Sequence, residues 1–149
     1  MQKHQDNTIP TGNWVWVFGS NLNTYNGAGA AAIAVSHFDR PQYEVAKPYV
    51  SYYNAASGLK SYGIPTKDAF LKPLSLKQIQ EHIEQFIEFV HLHSELNFFI
   101  TKVGCGYAGY QDFQIAPMFK ALVQNSNVSV ASSWYLYLVK ENSKPLYRL

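Results

Sequence analysis

Twice in this chain an apolar, strand-like run breaks into a glycine-rich turn and then into a helix-forming stretch. This recurrence restricts the fold more than any other feature. The first instance starts at Trp14-Val15-Trp16-Val17-Phe18, turns at Gly19-Ser20-Asn21, and passes Asn26 and Gly27-Ala28-Gly29 into the alanine-rich residues 30–38. The second starts in residues 97–103, turns through Gly104-Cys105-Gly106-Tyr107-Ala108-Gly109-Tyr110, and leads to a helix carrying Ile115, Met118, Phe119 and Leu122. Continuous apolar runs suit strands covered on both faces, and alanine is the best helix former. Strands alternating with helices predict an α/β fold with helices on both faces of a largely parallel sheet.

The other segments fit this frame. Ser75 followed by Gln78 is a capping box, and Leu76, Ile79, Ile83, Phe86, Ile87 and Val90 form one apolar stripe, so a helix is predicted over 75–94. Residues 61–66 read as a short strand, placed at an edge or a strand end by Pro65. Asp112 is a plausible N-cap for the late helix, whose first turn Pro117 makes irregular. Strands are expected at 128–131 and within 134–139, and the first ordered element at 14–18. Residues 39–58, with Pro41, Pro48 and several tyrosines, read as irregular or briefly helical, and leave open whether they cover a site. One unit is expected over 1–149, with 1–12 and 140–149 as peripheral tails.

Composition narrows the function classes. With 47% apolar and 15% charged residues the chain is globular. Its net charge is +2 and its twelve Lys and Arg are scattered, which weighs against nucleic acid as a partner. One cysteine excludes a multi-cysteine zinc site and suits a reducing cytoplasm. His91 and His93, two apart, do not share a helical face as a zinc pair would. Neither metal nor cofactor is expected. The polar first residues are no signal peptide, and no apolar run approaches the ~20 residues that span a bilayer. A cytoplasmic protein without membrane contact is expected.

The glycine turns carry the chemistry. In open α/β sheets ligands bind beyond the carboxyl ends of strands. Glycine there lets backbone approach a ligand, and unpaired N–H groups at a helix start favour an anion. Gly104, Gly106 and Gly109 have the G-x-G-x-x-G spacing of a dinucleotide turn, but late in the chain and with no carboxylate ~20 residues on to read a ribose.

Gly19-Ser20-Asn21, Asn26-Gly27-Ala28-Gly29-Ala30, Ile64-Pro65-Thr66-Lys67 and Lys102-Val103-Gly104-Cys105-Gly106-Tyr107-Ala108-Gly109-Tyr110, in this order, resemble a macrodomain over about residues 14–135. The resemblance implies a three-layer α/β/α fold with a mixed, largely parallel sheet. It also implies two loops that grip the diphosphate and distal ribose of ADP-ribose or a related NAD-derived nucleotide. Ligand contacts would come from Gly19, Ser20, Asn21, Asn26, Gly27, Ala28, Gly29 and the whole second loop, Gly104, Cys105, Gly106, Tyr107, Ala108, Gly109 and Tyr110. The wording is nearest the branch that removes ADP-ribose from acidic side chains, which makes an ADP-ribosylated protein a candidate partner. That branch uses a lysine, matched by Lys67, and a second-loop aspartate, where this chain has Ala108. The early strand ending in Gly-Asp, whose aspartate reads adenine in many macrodomains, is expected to be absent ahead of Trp14.

Binding is therefore the leading expectation. Hydrolysis of an ADP-ribosyl ester or of ADP-ribose 1″-phosphate is the second, resting on Lys67 with Asp68 or Asp112 as supporting acid. A non-catalytic sensor or sequestering protein for a nucleotide signal is the alternative. Cys105 has no neighbouring histidine and reads as a small turn residue rather than a nucleophile. Asn21 reads as a ribose contact or an Asx turn.

Overall fold

A computed structural model describes residues 1–23, 25–43, 52–54 and 58–139. In chain order the elements are β1 (Gln2–His4), β2 (Trp14–Asn21), α1 (Gly29–His37), β3 (Tyr52–Asn54), β4 (Gly58–Lys67), α2 (Leu76–Leu92), β5 (Asn97–Ile100), α3 (Asp112–Ile115), a 3₁₀ segment (Ala116–Leu122), β6 (Val128–Ala131) and α4 (Ser132–Leu138). The strands form one six-stranded sheet ordered β1-β6-β5-β2-β4-β3. Every pairing is parallel except that of the edge strand β3 with β4.

Alternation along β2 builds both layers of core, because successive side chains leave a strand on opposite faces. Val15 and Val17 pack with Ile79, Ile83, Phe86 and Val90 of α2 and with Ile115, Phe119 and Trp134. Trp16 and Phe18 point the other way, onto Ala31, Ala34 and Phe38 at α1. The small alanines let α1 lie close enough for the Trp16 indole N–H to donate to Ala30 O at 2.9 Å. This is the expected three-layer α/β/α arrangement.

The helix signals behave as the residues dictate. Ser75 Oγ accepts from Gln78 N at 3.2 Å, and Gln78 Oε1 accepts from Ser75 N at 3.0 Å. Pro117 sits in the first turn of the 3₁₀ segment, where the chain leaves α-helical geometry. Asp112 is the first residue of α3 rather than its cap, a place held by Gln111.

Other expectations are corrected. The first ordered element is β1, not residues 14–18. It is polar and pairs with β6 alone, so no apolar alternation announces it. Gly19-Ser20-Asn21 is not a turn but the end of β2, held there by pairing with Ile64, Pro65 and Lys67 of β4. The strand expected at 61–66 is ten residues long and internal. It accommodates Pro65 because β3 pairs only with Gly58, Leu59 and Ser61, and the next described partner on that side is the returning chain, where Leu74 N donates to Thr66 O at 2.8 Å and Pro73 bridges Lys67. Residues 134–138 lie in a helix, not a strand, and Val139 is its extended C-cap. Trp134 and Leu138, four apart, are its buried residues, and the N–H of Ser133 is capped at 3.1 Å by Oδ1 of Asp6, just past the neighbouring strand β1. The region 39–58 contains β3 and the first residue of β4. Whether 44–51 and 55–57 cover a site lies outside the described residues, as does the tail 140–149. No described helix is long and apolar enough to cross a membrane.

Candidate functional site

The C-terminal ends of the parallel strands converge on one cavity of about 530 Å³. It runs from Lys67 at the end of β4, over the loops that follow β2 and β5, to Ala131 at the end of β6 and His4 of β1. Both glycine loops line it. From the first come Gly27, Ala28 and Gly29, with Gly19 and Asn21 at the strand end; from the second come Gly104, Cys105, Gly106, Tyr107 and Ala108. Ser20, Asn26, Gly109, Tyr110, Asp68 and Asp112 do not form its wall.

The first loop is shaped by close approach. A Cβ on Gly27 would stand 2.2 Å from the Tyr25 ring, so only glycine lets that ring lie against the backbone. Asn21 and Asn26 build the loop from within. Asn21 Nδ2 donates to Tyr25 O (2.8 Å) while its Oδ1 accepts from Asn23 N (3.0 Å), an Asx turn. Asn26 Nδ2 donates to Pro41 O (2.9 Å), and its side chain is buried. Helix α1 then starts at the cavity. Ala28 occupies its N-cap position with no side-chain cap, and the first turn carries no acid, so the positive end of the helix is left to a ligand.

The second loop is closed by its own backbone, with Tyr110 N donating to Gly104 O and Gly109 N to Gly106 O, both at 3.0 Å. Gly104 has φ +79° and faces Ile115, so a side chain there meets both backbone strain and a packed neighbour. The Tyr110 hydroxyl donates to Leu74 O and fastens the loop to the chain ahead of α2. Tyr107 is largely exposed. Its ring reaches across to Gly29, 3.2 Å from where a Cβ would stand, and carries the Lys67 ammonium 5.5 Å from its centroid. The two loops are thus spanned by one aromatic side chain.

The acids are otherwise engaged. Asp68 Oδ1 accepts from Phe70 N (2.8 Å) and Lys72 N (3.0 Å), folding the tight turn that follows Lys67. Asp112 Oδ1 accepts from Lys102 Nζ (3.0 Å) and from the buried Trp134 indole (2.9 Å). Burial would raise the Asp112 pKa, but the bonds from Trp134 and Lys102 and the ammonium charge outweigh it and hold the carboxyl below its ordinary range. The Cys105 thiol is pushed up to about 12, by burial first and then by the Asp112 charge. At neutral pH it is a thiol and not a nucleophile.

The sequence reading missed one end of the cavity. His4, Asn7, Thr8, Trp16, Phe99 and Lys102 also line it. The His4 ring stacks on Phe99 at 3.6 Å, and Phe99 stacks on Trp16 at 5.6 Å. His4 Nδ1 shares a hydrogen bond of 2.8 Å with Ser129 Oγ. Burial depresses its pKa to about 4 against the opposing charge of Asp6, so the ring is neutral at physiological pH. Lys102, just ahead of the second loop, was the one signal in the sequence. An early strand followed by an acid is present after all, β1 and then Asp6. Asp6 does not line the cavity; its carboxylate is bonded to Ser133 N and lies 3.9 Å from Lys102 Nζ.

Sheet order, layering and paired loops at the strand ends define a macrodomain-like α/β/α fold. Among solved structures the chain is similar to Thermosipho africanus DarTG in complex with ADP-ribose, at 18% identity and a TM-score of 0.54, over 78% of this chain and 38% of that one. It is also similar to a protein of unknown function from Bacteroides thetaiotaomicron, at 15% identity and a TM-score of 0.57, over 82% of this chain and 90% of that one. The chain thus spans well under half the length of the Thermosipho protein. No family profile and no curated protein matches the sequence.

Proposed function

We propose that this protein binds ADP-ribose or a related NAD-derived nucleotide, its diphosphate lying between the loops 27–29 and 104–108. The observation that carries the reading is that both loops face one cavity whose described lining includes Lys67 and Lys102 but no carboxylate. An uncapped helix start adds a further seat for negative charge on the same wall. The solved complex of the similarly folded Thermosipho protein with ADP-ribose supports the same ligand class. Isothermal titration with ADP-ribose tests it. A dissociation constant of ~10 μM or below is expected, worth about −7 kcal/mol; no heat at ~1 mM ligand would sink the reading.

One observation favours an activity at the same site. Lys67 lies on the wall at the distal end, against Tyr107, with Asp68 and Asp112 outside the lining. Hydrolysis of an ADP-ribosyl ester on a protein, or of ADP-ribose 1″-phosphate, would then rest on Lys67 without a neighbouring acid. Incubation with ADP-ribosylated protein should release ADP-ribose in the parent and not in Lys67→Ala. Tight binding without any turnover would instead favour a sensor or sequestering role.

A further inference from the structure

Tyr107 belongs to the cavity wall and to the molecular surface at once. It lines the cavity, yet it is 73% exposed, so its ring lies between the cavity and solvent. The ring reaches from the second loop to the first, with Cε2 and Cδ2 at 3.2 and 3.5 Å from where a Cβ on Gly29 would stand. Over its face sits the ammonium of Lys67, the last residue of β4, 5.5 Å from the centroid. One side chain of the second loop thus touches both other segments that frame this part of the mouth. With the ring in this position the cavity still measures about 530 Å³, a size that encloses a small molecule. The ring therefore roofs the space between the loops rather than filling it.

The hold on this roof is light. The Tyr107 hydroxyl makes no hydrogen bond to the described residues, and a cation–π pair exposed to water is weak. A Cβ on Gly106, the preceding residue, would meet nothing within 4 Å, so there is open space beside the ring for it to turn into. The backbone beneath is fixed, by Gly109 N on Gly106 O, by Tyr110 N on Gly104 O and by the Tyr110 hydroxyl on Leu74 O. The movable part is one side chain on a fastened loop. We propose that Tyr107 is a latch over the cavity, which rests on Gly29 and Lys67, swings off them to admit the nucleotide, and returns over the bound diphosphate. A latch that closes whether or not a ligand lies beneath it slows entry and exit together, and shifts the affinity less than either rate. A side chain that only touches the ligand acts otherwise, because truncating a contact changes dissociation far more than association.

This inference rests on the binding reading above, and the test separates the two. Stopped-flow mixing with ADP-ribose gives the two rate constants for the parent, Tyr107→Ala and Tyr107→Phe. So exposed a side chain can be truncated without unfolding the domain. Tyr107→Ala is expected to raise association and dissociation alike, each by at least ~3-fold. Tyr107→Phe keeps the ring and should restore the parent's slow association. In the protein without ligand, NMR should show the Tyr107 ring protons close to the Gly29 α-protons. Faster dissociation of Tyr107→Ala with unchanged association would make Tyr107 a plain ligand contact; that result would overturn the latch and leave the binding reading intact. The same holds if Tyr107→Phe associates as fast as Tyr107→Ala, or if the ring shows no proximity to Gly29. No binding by parent or variants at ~1 mM ADP-ribose would overturn both readings together.

Discussion

Replacing Asp112 tests whether this acid is a brace beneath the second loop rather than a catalytic group. Its carboxylate accepts from the Trp134 indole at 2.9 Å and from Lys102 at 3.0 Å. Trp134 is fully buried, so Asp112→Ala leaves an indole N–H without an acceptor, a loss of ~1–3 kcal/mol. The Lys102 pair, with side chains 32% and 26% exposed, adds less than ~1 kcal/mol. The sum, ~1–4 kcal/mol, is below the ~5–15 kcal/mol of a typical domain, so the variant should fold and melt roughly 3–12 °C lower. Asp112→Asn keeps an acceptor for the indole and should recover at least half of that loss. The acid limb supplies a second readout. A carboxyl held below its ordinary range stabilises the fold above its unfolded-state pKa and loses that contribution as pH falls through the lower folded value. The parent should therefore lose stability below about pH 4 more steeply than Asp112→Asn. Calorimetric melting from pH 3 to pH 7 decides the matter. Melting of Asp112→Ala within 2 °C of the parent, with the same acid limb, would refute the bracing role.

Three further outcomes follow from the geometry. Gly27→Ala forces the Tyr25 ring aside, since the new Cβ would stand 2.2 Å from it; a loss of ~1–3 kcal/mol is expected by thermal melting, and Tyr25→Ala added to it should restore most of the loss. Cys105, with its thiol pushed up to about 12, should react with iodoacetamide at pH 8 at least ~10-fold more slowly than cysteine in an unfolded peptide; equal rates would show that the thiol is not shielded. The His4 ring should titrate near pH 4 by NMR, and because its folded pKa lies below the unfolded one, stability should fall as pH drops from ~6.5 to ~4; His4→Phe should flatten that slope, and an unchanged slope would contradict the burial of the ring.

What could be read along the chain was whatever local chemistry decides. The capping pair Ser75 and Gln78 fixes where α2 begins without reference to the rest of the molecule. The alternation through Val15, Trp16, Val17 and Phe18 already contains two faces to be covered, hence two layers of helix. β1 could not be read in this way. Gln2, Lys3 and His4 are a strand because β6 offers its edge to them, in register with Ser129, Val130 and Ala131. The same long-range meeting decides α4, where a strand-like alternation of aromatic and aliphatic residues becomes a helix because Asp6 caps Ser133 and the buried Trp134 finds an acceptor in Asp112.

The site divides along the same line. The glycine loops were legible because each is local, a strand end and the turn behind it, and their facing across one cavity follows from the neighbouring positions of β2 and β5. The β1 end was not legible, since His4 and Asn7 reach the cavity only through the pairing of β1. The acids show a subtler limit. Asp68 and Asp112 are the residue types a hydrolytic site calls for, and each lies close in sequence to a glycine loop or to Lys67. A carboxylate is available for chemistry only where it is turned into the cavity, and that depends on which donors the fold brings to hold it elsewhere. Here the Phe70 and Lys72 amides take Asp68, while Lys102 and Trp134 take Asp112. The cavity is left with a lysine at its distal end and no described acid beside it. With the described residues alone, turnover at this cavity would use water or the substrate's own groups where an acid would otherwise stand, and its rate should fall on Lys67→Ala while surviving Asp68→Asn.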